Sequence, residues 1–278
     1  MTGPTIHIFR HEAMATEFQV RIADQEKTYA EQAAEATFTL LDKLEARLSK
    51  FRPDSDIAQL ALLLPGKTLR LTEPTLACLL LAQKMEAATG GAFSVAAAAL
   101  KTQRTLPQCV LLPEQSSARC VAGRLEFDLG AIGKGFALDR MAKLLADWDC
   151  PAHLLVAGGS SILAGAAPVG LPGWSCGLGE DNSPQRFWLT HGTVGGSGLA
   201  VKGEHILDPR TGRPAPRQRR AWALAETAAE SDALSTACMV LEEAEIGEVL
   251  VPHPDWLVIL DEPAGLKYLG QRPVPPGA

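Results

Sequence analysis

The stretch FDLGAIGKGFALDR, Phe127 to Arg140, sets an acid, three glycines and a lysine between an apolar, strand-like run and a helical pattern. Its glycines, Gly130, Gly133 and Gly135, follow neither the dinucleotide spacing G-x-G-x-x-G nor the P-loop spacing G-x-x-x-x-G-K-[ST]. Two readings of the segment stay open. The amides of Ala131 to Gly135 at a helix start meet an anion, with Lys134 adding a point charge. Alternatively, Gly130 and Gly133 serve a sharp turn and Asp128 bonds nearby amides.

Outward from this stretch, period-2 alternation around Ile6 and Ile8 and then Phe18, Val20 and Ile22 predicts an opening pair of strands. An apolar stripe from Ala33 to Leu48 predicts an amphipathic helix over about Tyr29 to Ser49, broken by Pro53. A second helix is expected from about Thr72 to Thr89, with Pro74 in its first turn and Gly90 and Gly91 ending it. Strands are expected at Cys109 to Leu112, Arg124 to Asp128, His153 to Ala157, Trp174 to Leu178, Arg186 to Leu189 and Lys202 to Leu207. A helix from Gly133 to Trp148, a late helix in AESDALSTACMVL and a final strand in DWLVIL complete the pattern. Strands and helices come in mixed order, without regular βα alternation, so the fold class is α+β. One domain is expected over residues 1–270, followed by a frayed Pro-rich tail over 271–278.

The 278 residues are 46% hydrophobic and 21% charged, enough to bury a sizeable core. A formal charge of −6 and a pI near 5.6 argue against a nucleic-acid or anionic-membrane surface. The basic group Arg213, Arg217, Arg219 and Arg220 sits among prolines and reads as a solvated loop. Six scattered cysteines form no C-x-x-C pair, which fits free thiols in a reducing compartment. The uncharged run from Leu154 to Pro172 is interrupted by glycines and a proline, and no membrane span is expected. Without an export signal in the chain as given, the expected location is cytoplasmic.

Polar residues collect beside glycines in HEAMAT, DLGAIGKGFALD, HILDPRTGRP and SDALSTA. In the last, Asp232 and Thr236 are four apart and Ser235 three from Asp232, which puts their oxygens on one side of a helix. Such a set suits a hard cation such as Mg²⁺, with carbonyls, water and phosphates completing the shell. The plainer reading is an N-terminal cap by Ser231 or Asp232. His205 is a candidate general base, or a histidine bonded across a strand end. His7 and His11 have helical ligand spacing on a predicted strand, so they are set aside.

Taken together and in order, MAT (14–16), FRPDSDIAQL (51–60), TGGAF (89–93), DLGAIGKGFALD (128–139), AGGS (157–160), HILDPRTGRP (205–214) and SDALSTA (231–237) resemble the ApbE family of FAD:protein FMN transferases. The resemblance covers most of the chain. It implies a T-fold-like α+β domain with FAD in a cleft, Mg²⁺ at the pyrophosphate, and transfer of FMN to a threonine or serine hydroxyl of an acceptor flavoprotein with release of AMP. Matched position by position, it implies metal ligands Asp232, Thr236, Ser235 and the carbonyl of Ala131. FAD contacts are implied at Met14, Phe51, Ala92, Phe93, Asp128, Lys134 and Ile206, with Asp128 on the adenine or ribose part, and His205 is implied as the activator of the acceptor hydroxyl.

This sequence departs from the family pattern at Ala15, where glycine is usual, at Ser94 and Ser160, where acids are usual, and at Gly196, where threonine is common. These changes raise two other expectations: a flavin-binding protein without transferase activity, and hydrolysis of FAD to FMN and AMP with water in place of the acceptor.

Overall fold

The computed structural model describes residues 3–178, 186–198, 206–215 and 220–277. His205, positions 202–205 of the strand expected at 202–207, and Arg217 and Arg219 lie outside the described residues. The chain opens with a hairpin of β1 (Ile6–Ala13) and β2 (Thr16–Ala23). On β2 the alternation is clean, and Phe18, Val20 and Ile22 are fully buried, each contributing about 1.5–3 kcal/mol. On β1 the buried face is the one opposite to that expected. Register pairs Phe9 with Val20 and Ile8 with Arg21, so Phe9 packs against the core while Ile6 and Ile8 face outward.

The elements that follow are α1 (Lys27–Leu48), α2 (Asp56–Ala61), β3 (Thr68–Arg70), α3 (Glu73–Ala88), β4 (Gln108–Leu112), β5 (Ser117–Ala122) and α4 (Gly133–Asp147). Beyond them come β6 (His153–Ala157), β7 (Ser161–Ala164), β8 (Trp174–Gly177), β9 (Arg186–Leu189), β10 (Gly192–Ser197), β11 (Ala221–Leu224), α5 (Ala228–Ala237), α6 (Glu243–Leu250), β12 (Leu257–Glu262) and β13 (Gly265–Gly270). The main sheet has eight strands in the order β1-β2-β6-β7-β10-β11-β12-β13, with every neighbouring pair antiparallel. A second sheet runs β3-β5-β4, and β8 and β9 form a separate hairpin.

The sheet buries both faces. Leu155 and Ala157 of β6 point to the side of α1, α4 and α5, while Leu154 and Ile162 point to the side of the β8–β9 hairpin. The fold is α+β, as the mixed element order implies. The run Arg124 to Asp128 is not a strand. Gly123, at φ +73°, turns the chain away from β5, and the segment instead anchors to Val95 through the Asp128 amide at 2.8 Å. DWLVIL is not the last strand, since β13 pairs beyond it. The Pro-rich end, expected to fray, lies against β9: Gly277 bridges Phe187 and the Trp188 amide donates to the Pro276 carbonyl. Among the described residues, no helix is long and apolar enough to cross a membrane.

Candidate functional site

Helix α5 is the centre of the arrangement. Of its residues only Thr236 is partly exposed, and the polar Glu230, Ser231, Asp232 and Ser235 are buried with the alanines. Buried polar groups need partners, and here each has one. The helix cap is Thr227, whose side chain accepts the Glu230 amide, so neither Ser231 nor Asp232 caps it. Ser231 shares a hydrogen bond with Thr193 at 2.7 Å and accepts the Ala225 amide. Glu230 pairs with Lys84 of α3 at 2.7 Å.

Asp232 reaches across to the start of α4. Its Oδ2 accepts the Gly135 amide at 2.8 Å, its Oδ1 accepts the Ser161 hydroxyl at 2.7 Å, and Lys134 Nζ stands 3.8 Å away. Gly135 N–H is one of the amides that a helix start leaves without an internal partner. The anion at the glycine stretch is therefore the protein's own carboxylate. Asp139, one turn along α4, returns the contact: its two oxygens accept the Ala228 and Ala229 amides at 2.8 and 3.0 Å. Each helix start is thus held by an aspartate of the other helix. Burial pushes the Asp232 carboxyl up, against the pull of Lys134, Ser161 and Gly135. Burial also pushes Asp139 up to about 7.

Two glycines permit this closeness. A Cβ on Gly135 would lie 2.6 Å from Ala229 N and closer still to the Ala228 carbonyl, and one on Gly195 of β10 would collide with the backbone of Ser231 and Asp232. Helix α5 is therefore clamped between α4 and β10 at the level of Asp232. Beside it, Ser197 at the end of β10 hydrogen-bonds Ser235 and Thr236, both at 3.0 Å, and both of these hydroxyls also meet the Asp232 carbonyl at 2.9 and 3.1 Å.

The remaining segments join through single contacts. Asp128 accepts Lys50 at 2.6 Å and the Gly130 amide at 2.9 Å, as the turn reading requires. Phe51 is 82% exposed, with Lys50 Nζ 5.0 Å from its ring centre. Met14 and Ala15 form the β1–β2 turn with φ of 51° and 59°, so the alanine carries backbone strain that glycine would not. The Gly158 amide bonds the Glu17 carbonyl, and a Cβ on Gly158 would strike Thr16, which joins MAT to AGGS. Gly91 faces Arg210, with a would-be Cβ 3.6 Å from its Cγ, which joins TGGAF to DPRTG. Asp208 is spent within its own turn, accepting Arg210 at 3.0 Å. Ile206 packs against the core.

Ala92 and Phe93 are buried at 2% and 1% exposure, so the Phe93 ring belongs to the core and any contribution to a ligand comes from this segment's backbone. Burial pushes the Glu86 carboxyl up, against a smaller pull from Ser94. These residues edge a cleft of ≈ 480 Å³ between α3 and β4, lined also by Phe127, Leu79 and Cys109. At Gly196 a Cβ would come within 2.9 Å of the Trp222 indole, so this tryptophan fills the place a threonine side chain would need.

The sequence singled out Asp232, Ser235 and Thr236; the structure sets Lys134 beside the Asp232 carboxylate, while the Ser235 and Thr236 hydroxyls meet the Asp232 carbonyl and Ser197. The sequence did not single out Ser161 and Ser197, nor Asp139 at the end of DLGAIGKGFALD, because their partners lie on other elements. Among the described residues no group of three or more His, Cys, Asp or Glu is placed to hold a metal ion. The oxygen set of one buried carboxylate and three hydroxyls fits a hard cation whose shell is completed by carbonyls and phosphates, and it does not suit a soft one.

The chain matches the model of the ApbE family over residues 14–259. It is 28% identical over 140 residues to the FAD:protein FMN transferase of Escherichia coli K12 and 26% identical over 140 residues to that of Salmonella typhimurium. Each match covers 45% of this chain and 40% of the relative, so the chain aligns with less than half the length of these curated proteins. Its fold superposes on a solved flavin transferase ApbE from Vibrio cholerae with a TM-score of 0.81 at 18% identity, covering 95% of this chain and 96% of the other. For an ApbE protein from Thermotoga maritima the TM-score is 0.80 at 22% identity, covering 95% and 97%. The chain belongs to the ApbE family.

Proposed function

We propose that this chain transfers FMN from FAD to a threonine or serine hydroxyl of an acceptor protein, releasing AMP. Phe51, exposed beside Lys50 and Asp128, offers a face for an aromatic ring. Met14, Ile206 and the backbone at Ala92 and Phe93 provide the neighbouring wall. Asp128 takes the adenine or ribose part, since its charge would repel phosphate. Lys134 holds the pyrophosphate oxygens, 3.8 Å from the buried carboxylate that fixes its ammonium.

Asp232, Thr236, Ser235 and the carbonyl of Ala131 would hold Mg²⁺. The ion would neutralise charge developing on the pyrophosphate. The acceptor oxygen attacks the FMN phosphorus and the bond from that phosphorus to the bridging oxygen breaks, the electron pair leaving with AMP. His205 takes the acceptor's proton. The observation that carries this reading is the buried Asp232 of SDALSTA, held by the Gly135 amide and Lys134 of DLGAIGKGFALD and by Ser161, the residue after AGGS. Ion binding would offset the burial that raises its carboxyl.

The test is chromatography of nucleotides after incubation with FAD and MgCl₂, with and without a candidate acceptor. AMP release that requires the acceptor supports transfer. Equal FMN and AMP without it would make the chain a hydrolase, and intact bound FAD would make it a flavin-binding protein.

A further inference from the structure

We propose that Cys109 and Cys120 are a modification site, a dithiol that low-molecular-weight disulfides close into a cross-strand disulfide. Strands β4 and β5 place the two residues directly opposite each other in antiparallel register. The Cys120 amide donates to the Lys67 carbonyl at 3.0 Å, and the Cys120 carbonyl accepts the Gly66 amide at 2.8 Å. Both bonds run to the β3 side. In an antiparallel ladder a residue's N–H and C=O point to the same neighbour, so towards β4 Cys120 belongs to a non-hydrogen-bonded pair. Such pairs hold their Cα atoms about 4.5 Å apart, inside the roughly 4.4–6.8 Å that a disulfide requires.

Directly opposed residues share a face, and both cysteines point into the same core. Burial first, and Cys120 second, raise the Cys109 thiol. The ladder also shifts register between Gln108 and Cys109, which lets β4 twist locally as a bridge closes.

The two thiols differ in access. Cys120 is fully buried, whereas Cys109 is partly exposed and lines the cleft beneath TGGAF. An entering disulfide therefore meets Cys109 first. With oxidised glutathione, the Cys109 thiolate attacks one sulfur, forming a mixed disulfide and releasing one glutathione. Cys120 then loses its proton and attacks the Cys109 sulfur, forming the bridge and releasing the second glutathione. Two protein thiols are oxidised and one glutathione disulfide is reduced. Burial pushes the Cys109 thiol up to about 11, so the rate should climb about tenfold per pH unit between pH 7 and 9. Closure ties β4 to β5 and replaces the thiol in the cleft wall.

The test uses the full chain exposed to oxidised glutathione, denatured, alkylated, digested with trypsin and weighed. The expected product is residues 105–119 linked to residues 120–124, short of two hydrogens, with the other four cysteines alkylated and the link lost on reduction with dithiothreitol. Cys120→Ala, verified as folded by circular dichroism, should accumulate a stable glutathione adduct at Cys109, and Cys109→Ala should leave Cys120 alkylatable. A lasting Cys109 adduct in the wild type without the linked peptide would overturn the proposal, as would complete alkylation of both cysteines.

Discussion

Gly135→Ala separates backbone contact from helix preference. In an isolated helix the change would gain about 1 kcal/mol. Here the new methyl meets the Ala228 carbonyl and, at 2.6 Å, the Ala229 nitrogen, and neither can swing aside as a side-chain tip would. Overpacking against such a wall costs about 1–3 kcal/mol. Moving α4 aside to relieve it lengthens the Gly135–Asp232 bond, and a hydrogen bond to a charged group contributes about 1.5–3 kcal/mol. Set against the propensity gain, the net loss is about 2–5 kcal/mol, or about 3–9 °C in Tm. Gly133→Ala is the control within the same motif, because its Cβ would rest 3.6 Å from Leu129 Cβ in ordinary contact. Urea unfolding of wild type and both variants, without ligand, measures the difference. A Gly135→Ala protein within about 0.5 kcal/mol of wild type would refute the clamp.

Asp232→Ala removes the side-chain anion assigned to the ion, and Mg²⁺-dependent AMP release should fall by about two orders of magnitude; unchanged release across a Mg²⁺ titration would remove Asp232 from the metal site. Asp139 has a folded pKa of about 7 against an ordinary 3.8, so between about pH 4 and 7 the folded state holds a proton that the unfolded state has lost, and this group lowers stability as pH rises through that window. Asp139→Asn should flatten that part of the stability profile in urea melts at stepped pH, and a profile parallel to wild type would contradict it. Phe51→Ala should leave urea stability within about 0.5 kcal/mol, given 82% exposure, while weakening FAD about 3–10-fold by fluorescence titration; unaltered affinity would take Phe51 out of the site.

Much of the frame was legible because periodicity is local. The apolar stripe of α1 and the alternation of β2 each report their own packing. The short β7 and the glycine-rich β10 escaped, since four residues carry little pattern and GTVGGS lacks the side chains that mark a strand. Register, a property of two strands, turned the β1 face over. At the site, Asp232, Ser235 and Thr236 are readable from helix spacing. Ser161 and Ser197 reach them only through tertiary contacts 71 and 38 residues away in sequence, and Asp139 meets the start of the same helix at Ala228, 89 residues away. The glycine stretch left two readings open for a related reason: the carboxylate that meets the Gly135 amide comes from α5, 97 residues away in sequence.

The central claim is transfer of FMN to protein. Its most direct measurement is the intact mass of a candidate acceptor flavoprotein after incubation with this chain, FAD and MgCl₂, followed by mapping of the modified peptide. The account predicts a gain of one FMN less one water, on a threonine or serine, that requires Mg²⁺ and is lost in Asp232→Ala. An acceptor of unchanged mass, with free FMN and AMP accumulating or FAD remaining whole, would contradict it.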